Sequence, residues 1–365
     1  MHGTVITLYR PNLSLTSGAG QLIRMQAEGL QAAGEEVRIG CARGSLRFRL
    51  RTRLPARRAS IQALRRLAAA PQQLVVDHGM AIPEAGVVFV HNVVTEGVRH
   101  LERPDWAERA RGEAEFFAAL PPNAPVVANS ELVKRALIEH FRLDAGRVIV
   151  HYPGYDSRRF TARDRAAASA AARRELGLDA HAPVVGFVTS GDFAKRGLDI
   201  FLAAAERIAE ARPDVRFLVV GAKRLPEFAA RHELVRDGRL AYSPKGVRPE
   251  RSFAALDIFL YPARFEEFGM VVSEAQACGV PVLTSRRVGA AECLPAEYDG
   301  WVLDEPDAEQ FARRALALLA DDTARRRLAV AGAASVRAFA REHYVRETLE
   351  TILSCARRKA GEACE

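Results

Sequence analysis

Short apolar runs alternate with helical stretches along the whole 365-residue chain, and they fall into two sets. The first set is Thr4–Tyr9, Glu36–Cys41, Gln73–Asp77, Gly86–His91, Pro125–Asn129 and Arg147–Tyr152. A charged, alanine-rich helix over about 162–176 follows. The second set is Pro183–Thr189, Val215–Gly221, Leu240–Ser243, Asp257–Tyr261, Val280–Thr284 and Gly300–Asp304. Such runs read as buried strands, and their alternation with helices predicts parallel sheets covered on both faces. Two sets predict an α/β protein with two Rossmann-like domains facing a central cleft. The expected division is residues 1–155, residues 156–342, and a terminal helix within 343–365.

Size and composition agree with this architecture. The chain is too long for one typical core. With 48% hydrophobic and 27% charged residues it has the makeup of a soluble globular protein. It has no apolar run of membrane-spanning length, and MHGTVITLYR reads as a first strand rather than a signal peptide. Five cysteines (Cys41, Cys278, Cys293, Cys355, Cys364) without paired spacing imply reduced thiols in the cytosol and no zinc site. Walker A, G-x-S-x-G and Asp-x-Asp patterns are all missing from the sequence.

The stretch YPARFEEFGMVVSEAQACGVPVLTS, Tyr261–Ser285, carries the most chemistry. A strand ends at Tyr261, a loop follows, and Gly269–Ala277 reads as a helix that Cys278-Gly279 closes. A loop leaving the carboxyl end of a parallel strand for a helix N-terminus is where such folds bind phosphate. Glu266 lies in that loop and Glu274 two turns further on, so the two carboxylates can flank one ligand from different heights. Without a ligand they would be two solvated glutamates beside a helix start.

This stretch resembles the donor-site signature of retaining glycosyltransferase family 4, of GT-B architecture. The resemblance implies that Glu266 lies near a donor sugar, that Phe268 and the amides of Gly269, Met270 and Val271 face its diphosphate, and that Glu274 binds ribose hydroxyls. Glu267 stands where the family pattern Glu-Gly-Phe-Gly has glycine. After the first strand of the second domain, the family pattern Gly-Arg, then Lys-Gly, is met by Gly191-Asp192 and Lys195-Arg196-Gly197. This variant is similar to the lipopolysaccharide-core hexosyltransferase branch. Lys195 and Arg196 are placed to neutralise a diphosphate. His91, ending a first-domain strand, corresponds to a family histidine that contacts the donor sugar, with Asn92 a candidate to orient its ring. Gly18 and Gly20 correspond to a Gly-Gly loop near the donor diphosphate and acceptor. His78 and His151 are weaker candidates. Pro153-Gly154 reads as a hinge, and Asp156 and Phe160 as packing residues. In GT-B proteins the last helix returns to the N-terminal domain, which is the expectation for 343–365.

Net charge is +8, and nine arginines fall between Arg43 and Arg66 with no acid among them. The segment reads either as a solvated loop or as a surface for anionic lipid or a phosphorylated acceptor. A nucleic-acid partner is not expected, because no aromatic interleaving or recognisable module accompanies the charge. The expected activity is a retaining, metal-independent transfer of hexose from a nucleoside-diphosphate sugar, UDP-sugar favoured and GDP-mannose as the other option, to a lipid-linked glycan acceptor in lipopolysaccharide core or envelope polysaccharide synthesis. No cofactor is expected, and the expected location is cytoplasmic, on the inner face of a bacterial inner membrane. The rivals are a nucleotide-sugar epimerase and a non-catalytic glycan- or nucleic-acid-binding protein on the same fold.

Overall fold

The computed structural model describes residues 4–15, 17–101, 103–163, 165–189, 191–244 and 249–361. Cys364 lies outside the described residues. The chain divides into two compact units, Met1–Gly154 with Arg341–Glu365, and Tyr155–Ala340.

The first unit is built on seven strands: β1 (Val5–Tyr9), β2 (Val37–Cys41), β3 (Ala56–Arg58), β4 (Gln73–Asp77), β5 (Val87–Val90), β6 (Val126–Ala128) and β7 (Val148–Val150). They form one parallel sheet in the order β3-β2-β1-β4-β5-β6-β7. Alternate side chains serve opposite faces, as strand geometry requires. Ile6, Leu8 and Val76 face one core, with Ile23, Ala27 and Leu30 of the helix Gly18–Ala32. Tyr9, Val75 and Val88 face the other, with Phe116 and Phe117 of the helix Ala107–Ala119.

The terminal helix Arg341–Ala360 completes the first of these cores with Ile352, Cys355 and Ala356. Polar contacts fix it there: Gln26 Nε2 donates to the Tyr344 hydroxyl at 2.9 Å, and Lys359 Nζ donates to the Ala68 carbonyl at 2.8 Å. His151 belongs to the same interface, with Nε2 2.8 Å from Thr351 Oγ1. Its role is to pack the helix.

The arginine-rich segment is not a loop. It folds as a helix, Ser45–Thr52, then β3, then a helix, Ile61–Ala69. Phe48, Leu54, Ala56 and Leu64 are buried at intervals between the arginines and supply the apolar anchors that order it. The edge strand β3 exposes Arg57 and Arg58, and charge on an edge discourages pairing with another chain.

The second unit holds β8 (Val184–Val188), β9 (Arg216–Gly221), β10 (Leu240–Pro244), β11 (Ile258–Tyr261) and β12 (Val282–Thr284). Their parallel order is β10-β9-β8-β11-β12. The expected strand at Gly300–Asp304 does not form. Gly300 takes a left-handed φ of +81°, and only Leu303 bridges, to Ser285. Beneath the sheet, buried Arg173 bonds the Ala255, Ala180 and Ala182 carbonyls and Asp257 Oδ2, the last at 2.7 Å. Asp257 Oδ2 also accepts from the Val184 amide at 2.7 Å. One guanidinium thus joins the starts of β8 and β11 to the helix Arg165–Glu175.

Gly18 and Gly20 fall inside the first turn of Gly18–Ala32 rather than in the preceding loop. Ser17 caps that turn by accepting from the Gly20 amide at 3.2 Å. A Cβ on Gly20 would lie 1.9 Å from the Ser14 carbonyl oxygen. Gly20→Ala should therefore destabilise the protein by about 1–3 kcal/mol through overpacking, read as a lower urea midpoint. A wild-type midpoint would show that this contact does not constrain the helix start.

Candidate active site

In the second unit, β8 leads to β9 on one side, while the chain later returns to place β11 on the other. The loops after β8 and β11 therefore leave neighbouring strands at the point where strand order reverses, the usual ligand position in an open parallel sheet. Gly197, at φ +73°, lets these loops touch, since a Cβ there would lie 2.1 Å from the Pro262 carbonyl oxygen. Arg264 secures the contact. Its amide donates to the Lys195 carbonyl at 3.1 Å, and its guanidinium forks onto Asp199 at 2.8 and 2.6 Å.

Four charges meet where the loops touch. Lys195 Nζ lies 2.6 Å from Glu267 Oε2 and 5.7 Å from the centre of the Phe265 ring. Arg196 Nε pairs with Glu266 Oε2, which also accepts from the Tyr261 hydroxyl at 2.9 Å. Lys195, Glu266 and Glu267 are buried, at 6%, 7% and 2% exposure. Burial, the largest influence, would lower the Arg196 pKa, but Glu266, Tyr261 and Glu267 together outweigh it and the guanidinium is held above its ordinary value. Burial, aided by Glu266, pushes Tyr261 well above the phenol range. Lys195 and Arg196 are thus not free cations waiting for an anion. Each is matched by a carboxylate of the facing loop, and Glu267, the residue that breaks the family pattern, provides one of the two.

Gly191 lies against this cluster. Its amide donates to Thr189 Oγ1 at 3.1 Å, and a Cβ would meet Arg196 Nη2 at 3.2 Å. After the buried Phe268, Gly269 adopts φ +92° as N-cap of the helix Met270–Ala277, with no side chain capping it. The first amides of a helix have no intrahelical acceptor and carry its positive dipole end. Met270 and Val271 are partly exposed there. Glu274, on the same helix, makes no ion pair among the described residues. Burial raises its pKa to about 8, with Arg159 opposing and Glu250 and Asp156 adding to the rise. Asp156 otherwise serves a turn through its carbonyl, and Phe160 packs edge-on against Phe253.

His91 lies in the first unit, after β5. Its Nε2 is 2.9 Å from His78 Nδ1, so one proton is shared between the two rings. His78 stacks on Phe89 at 4.7 Å. Asn92 is exposed, so the ring is oriented by His78 instead. Burial drives both imidazoles towards the neutral form, His78 to about 3 and His91 well below its ordinary value. His78 and Glu267 are the partners that sequence pattern did not assign, Glu267 because it comes from a loop 72 residues beyond Lys195, and His78 because only the pairing of neighbouring strands sets it beside His91.

Residues 169–334 match the family described as glycosyl transferases group 1. The match lies within the second unit and contains Lys195, Arg196, Glu266 and Glu274. A D-inositol 3-phosphate glycosyltransferase of Segniliparus rotundus is 31% identical over 271 residues, 70% of this chain and 59% of the relative. One of Xylanimonas cellulosilytica is 30% identical over 266 residues, 70% of this chain and 62% of the relative. The chain thus spans less than two thirds of either relative. Among solved structures, HepE from Anabaena in complex with UDP superposes with a TM-score of 0.78 at 17% identity, covering 96% of this chain and all of that one. WaaG, a glycosyltransferase involved in lipopolysaccharide biosynthesis, gives 0.73 at 19% identity, covering 98% and 100%. The fold matches GT-B glycosyltransferase structures, with two parallel α/β sheets.

Removing one partner of a buried ion pair leaves the other charge uncompensated. Glu267→Gln should therefore cost about 3–5 kcal/mol, whereas Lys195→Met with Glu267→Leu should recover most of it. Urea unfolding of the single and double variants decides, and a single variant as stable as wild type would show that Glu267 does not neutralise Lys195.

Proposed function

We propose that the protein is a retaining, metal-independent glycosyltransferase that moves a hexose from a nucleoside-diphosphate sugar, UDP-sugar favoured, to a glycan acceptor. The observation that carries this reading is the meeting of Lys195, Arg196 and Glu266 beside the uncapped helix start at Gly269, within the stretch that matches glycosyl transferases group 1. The leaving diphosphate would take the amides of Gly269, Met270 and Val271 together with the guanidinium and ammonium. Such preorganised donors stabilise charge as it develops, without a metal. Glu274 would accept from the ribose hydroxyls, Glu266 would stand by the sugar, and neutral His91 would bond a sugar hydroxyl. Gly18, Gly20 and Gly191 would line the approach to the diphosphate.

Because the cations are already paired, donor binding must loosen or share two carboxylate contacts. Replacing Lys195 or Arg196 alone would strand a buried acid, so a loss of activity there would mix folding with catalysis. Glu274, which makes no ion pair among the described residues, gives the cleaner test, and Glu266→Gln is read beside its urea midpoint because it strands Arg196. Glu274→Gln should weaken donor affinity about tenfold or more, while Glu266→Gln should act mainly on kcat. Transfer should survive EDTA. Wild-type turnover in both variants, or activity lost in chelator and restored by metal, would overturn the assignment.

For the acceptor, the likeness to WaaG supports a lipid-linked glycan of lipopolysaccharide core or envelope polysaccharide, and a site on the cytoplasmic face of a bacterial inner membrane. The likeness to D-inositol 3-phosphate glycosyltransferases supports a second reading, a small phosphorylated polyol. No described helix is long and apolar enough to cross a membrane. Ser45–Thr52, however, exposes Leu46 at 59% and Leu50 at 72% beside Arg47, Arg49 and Arg51. Two apolar side chains ringed by cations suit an anionic bilayer surface, where each arginine contributes about 1 kcal/mol. Vesicle sedimentation should require anionic lipid and weaken with salt. Neutralising Arg47, Arg49, Arg51 and Arg53 together should abolish it, and wild-type pelleting by that variant would leave the segment a solvated face.

A further inference from the structure

The loops after β8 and β11 depart from the family pattern at two positions, and both departures lower the local positive charge. Asp192 stands for the arginine of Gly-Arg, and Glu267 for the first glycine of Glu-Gly-Phe-Gly. Around Lys195 and Arg196 two carboxylates therefore cancel two cations, where a diphosphate is served by an excess of positive charge. Glu266 has a role beside the sugar and Glu274 one at the ribose. Glu267 has neither, yet its Oε2 holds the Lys195 ammonium at 2.6 Å, with the two residues at 2% and 6% exposure.

Side-chain rotation is what can alter this contact, because the backbone on both sides of it is tied. The segment after β12 brackets Glu267: the Glu266 amide donates to the Arg287 carbonyl at 2.9 Å, the Gly289 amide to the Glu266 carbonyl at 3.0 Å, and the Ala290 amide to the Phe268 carbonyl at 2.7 Å. Lys195 is tied by the Arg264 amide on its carbonyl and by its own amide, which donates to Asp192 Oδ1 at 3.4 Å. The ammonium also has a second holder. It lies 5.7 Å from the centre of the buried Phe265 ring, and a ring face attracts a cation without a hydrogen bond. Lys195 can thus keep its place while Glu267 turns away. One ammonium is a single compact charge, so a carboxylate and a phosphate oxygen compete for it.

We propose that Glu267 is a built-in competitor of the donor diphosphate: a latch that holds Lys195 until the diphosphate arrives, and that takes the ammonium back as the nucleoside diphosphate leaves after transfer. The inference rests on the reading of this cluster as the donor site. The free energy of the Lys195–Glu267 contact is given up when donor binds and returned when product departs, so the carboxylate caps the affinity of the site for both. Its use is kinetic. Product release limits many enzymes of this kind, and an acid already beside the ammonium shortens the stay of a product that would otherwise keep both cations.

The test is calorimetric titration of the full chain with UDP, GDP and ADP and, for the tightest of them, with its nucleoside, alongside urea unfolding with and without that diphosphate. Glu267→Gln strands the ammonium in the free protein, and a bound diphosphate pairs it again. The diphosphate should therefore bind this variant about fivefold tighter or more, with the nucleoside unaffected, and should raise its urea midpoint by more than it raises that of wild type. Glu267→Asp keeps the charge but shortens its reach; it should shift affinity in the same direction, and it carries the test if the glutamine variant does not fold. Lys195→Met with Glu267→Leu has no ammonium to release and should show no gain. Equal or weaker diphosphate binding in the single variants, or the same gain in the double variant, would overturn the latch alone. A wild-type chain that binds none of the three diphosphates would overturn the donor reading and the latch with it.

Discussion

The second unit is organised around the desolvation of charge. Lys195 and Glu267, and Arg196 and Glu266, are largely withdrawn from water, and an isolated ion in that setting would cost several kcal/mol. Each pair is tolerable only because the loops after β8 and β11 are pressed together. That requires a residue without a side chain at Gly197 and the Arg264–Asp199 clasp beside it. Remove the closeness and the charges are stranded; remove a charge and the closeness has nothing to neutralise.

Much of this was legible in sequence, and the exceptions have physical causes. Eleven of the strands follow the apolar runs because strands of a parallel sheet covered by helices are largely apolar, most completely at its centre. The edge strand β3 was hidden since Arg57 and Arg58 face solvent, leaving Ala56 alone as its buried residue. Gly300–Asp304 has the right composition but a backbone turn at Gly300 that no hydrophobic pattern records. Glu266 and Glu274 stood out through spacing and a short glycine-marked helix. The partner of Lys195 did not, because 72 residues separate it from Glu267 and only the sheet order brings them together.

The two sheets use one device twice. In each, strand order reverses beside the unit's first strand, and basic residues follow that strand: Arg10 after β1, Lys195 and Arg196 after β8. The difference is in the acids. The second unit sets two glutamates in contact with its cations, whereas the first commits both Asp77 oxygens to backbone amides, so that Asp77 acts on Arg10 only through space. One loop thus pairs its cations by contact and the other leaves its arginine to a partner acting through space.

The return of Arg341–Ala360 to the first unit also sets an order of assembly. Tyr155 and Ala340 bridge one another, so the second unit begins and ends at one place and is complete once residue 340 has been synthesised. The first unit is made earlier, yet the face of its sheet that carries the helix Gly18–Ala32 stays only partly covered until Ile352, Cys355 and Ala356 arrive. A growing chain ordinarily completes its N-terminal domain first. Here the inserted unit can finish while the earlier one waits, holding part of an apolar surface open while residues 155–340 are made.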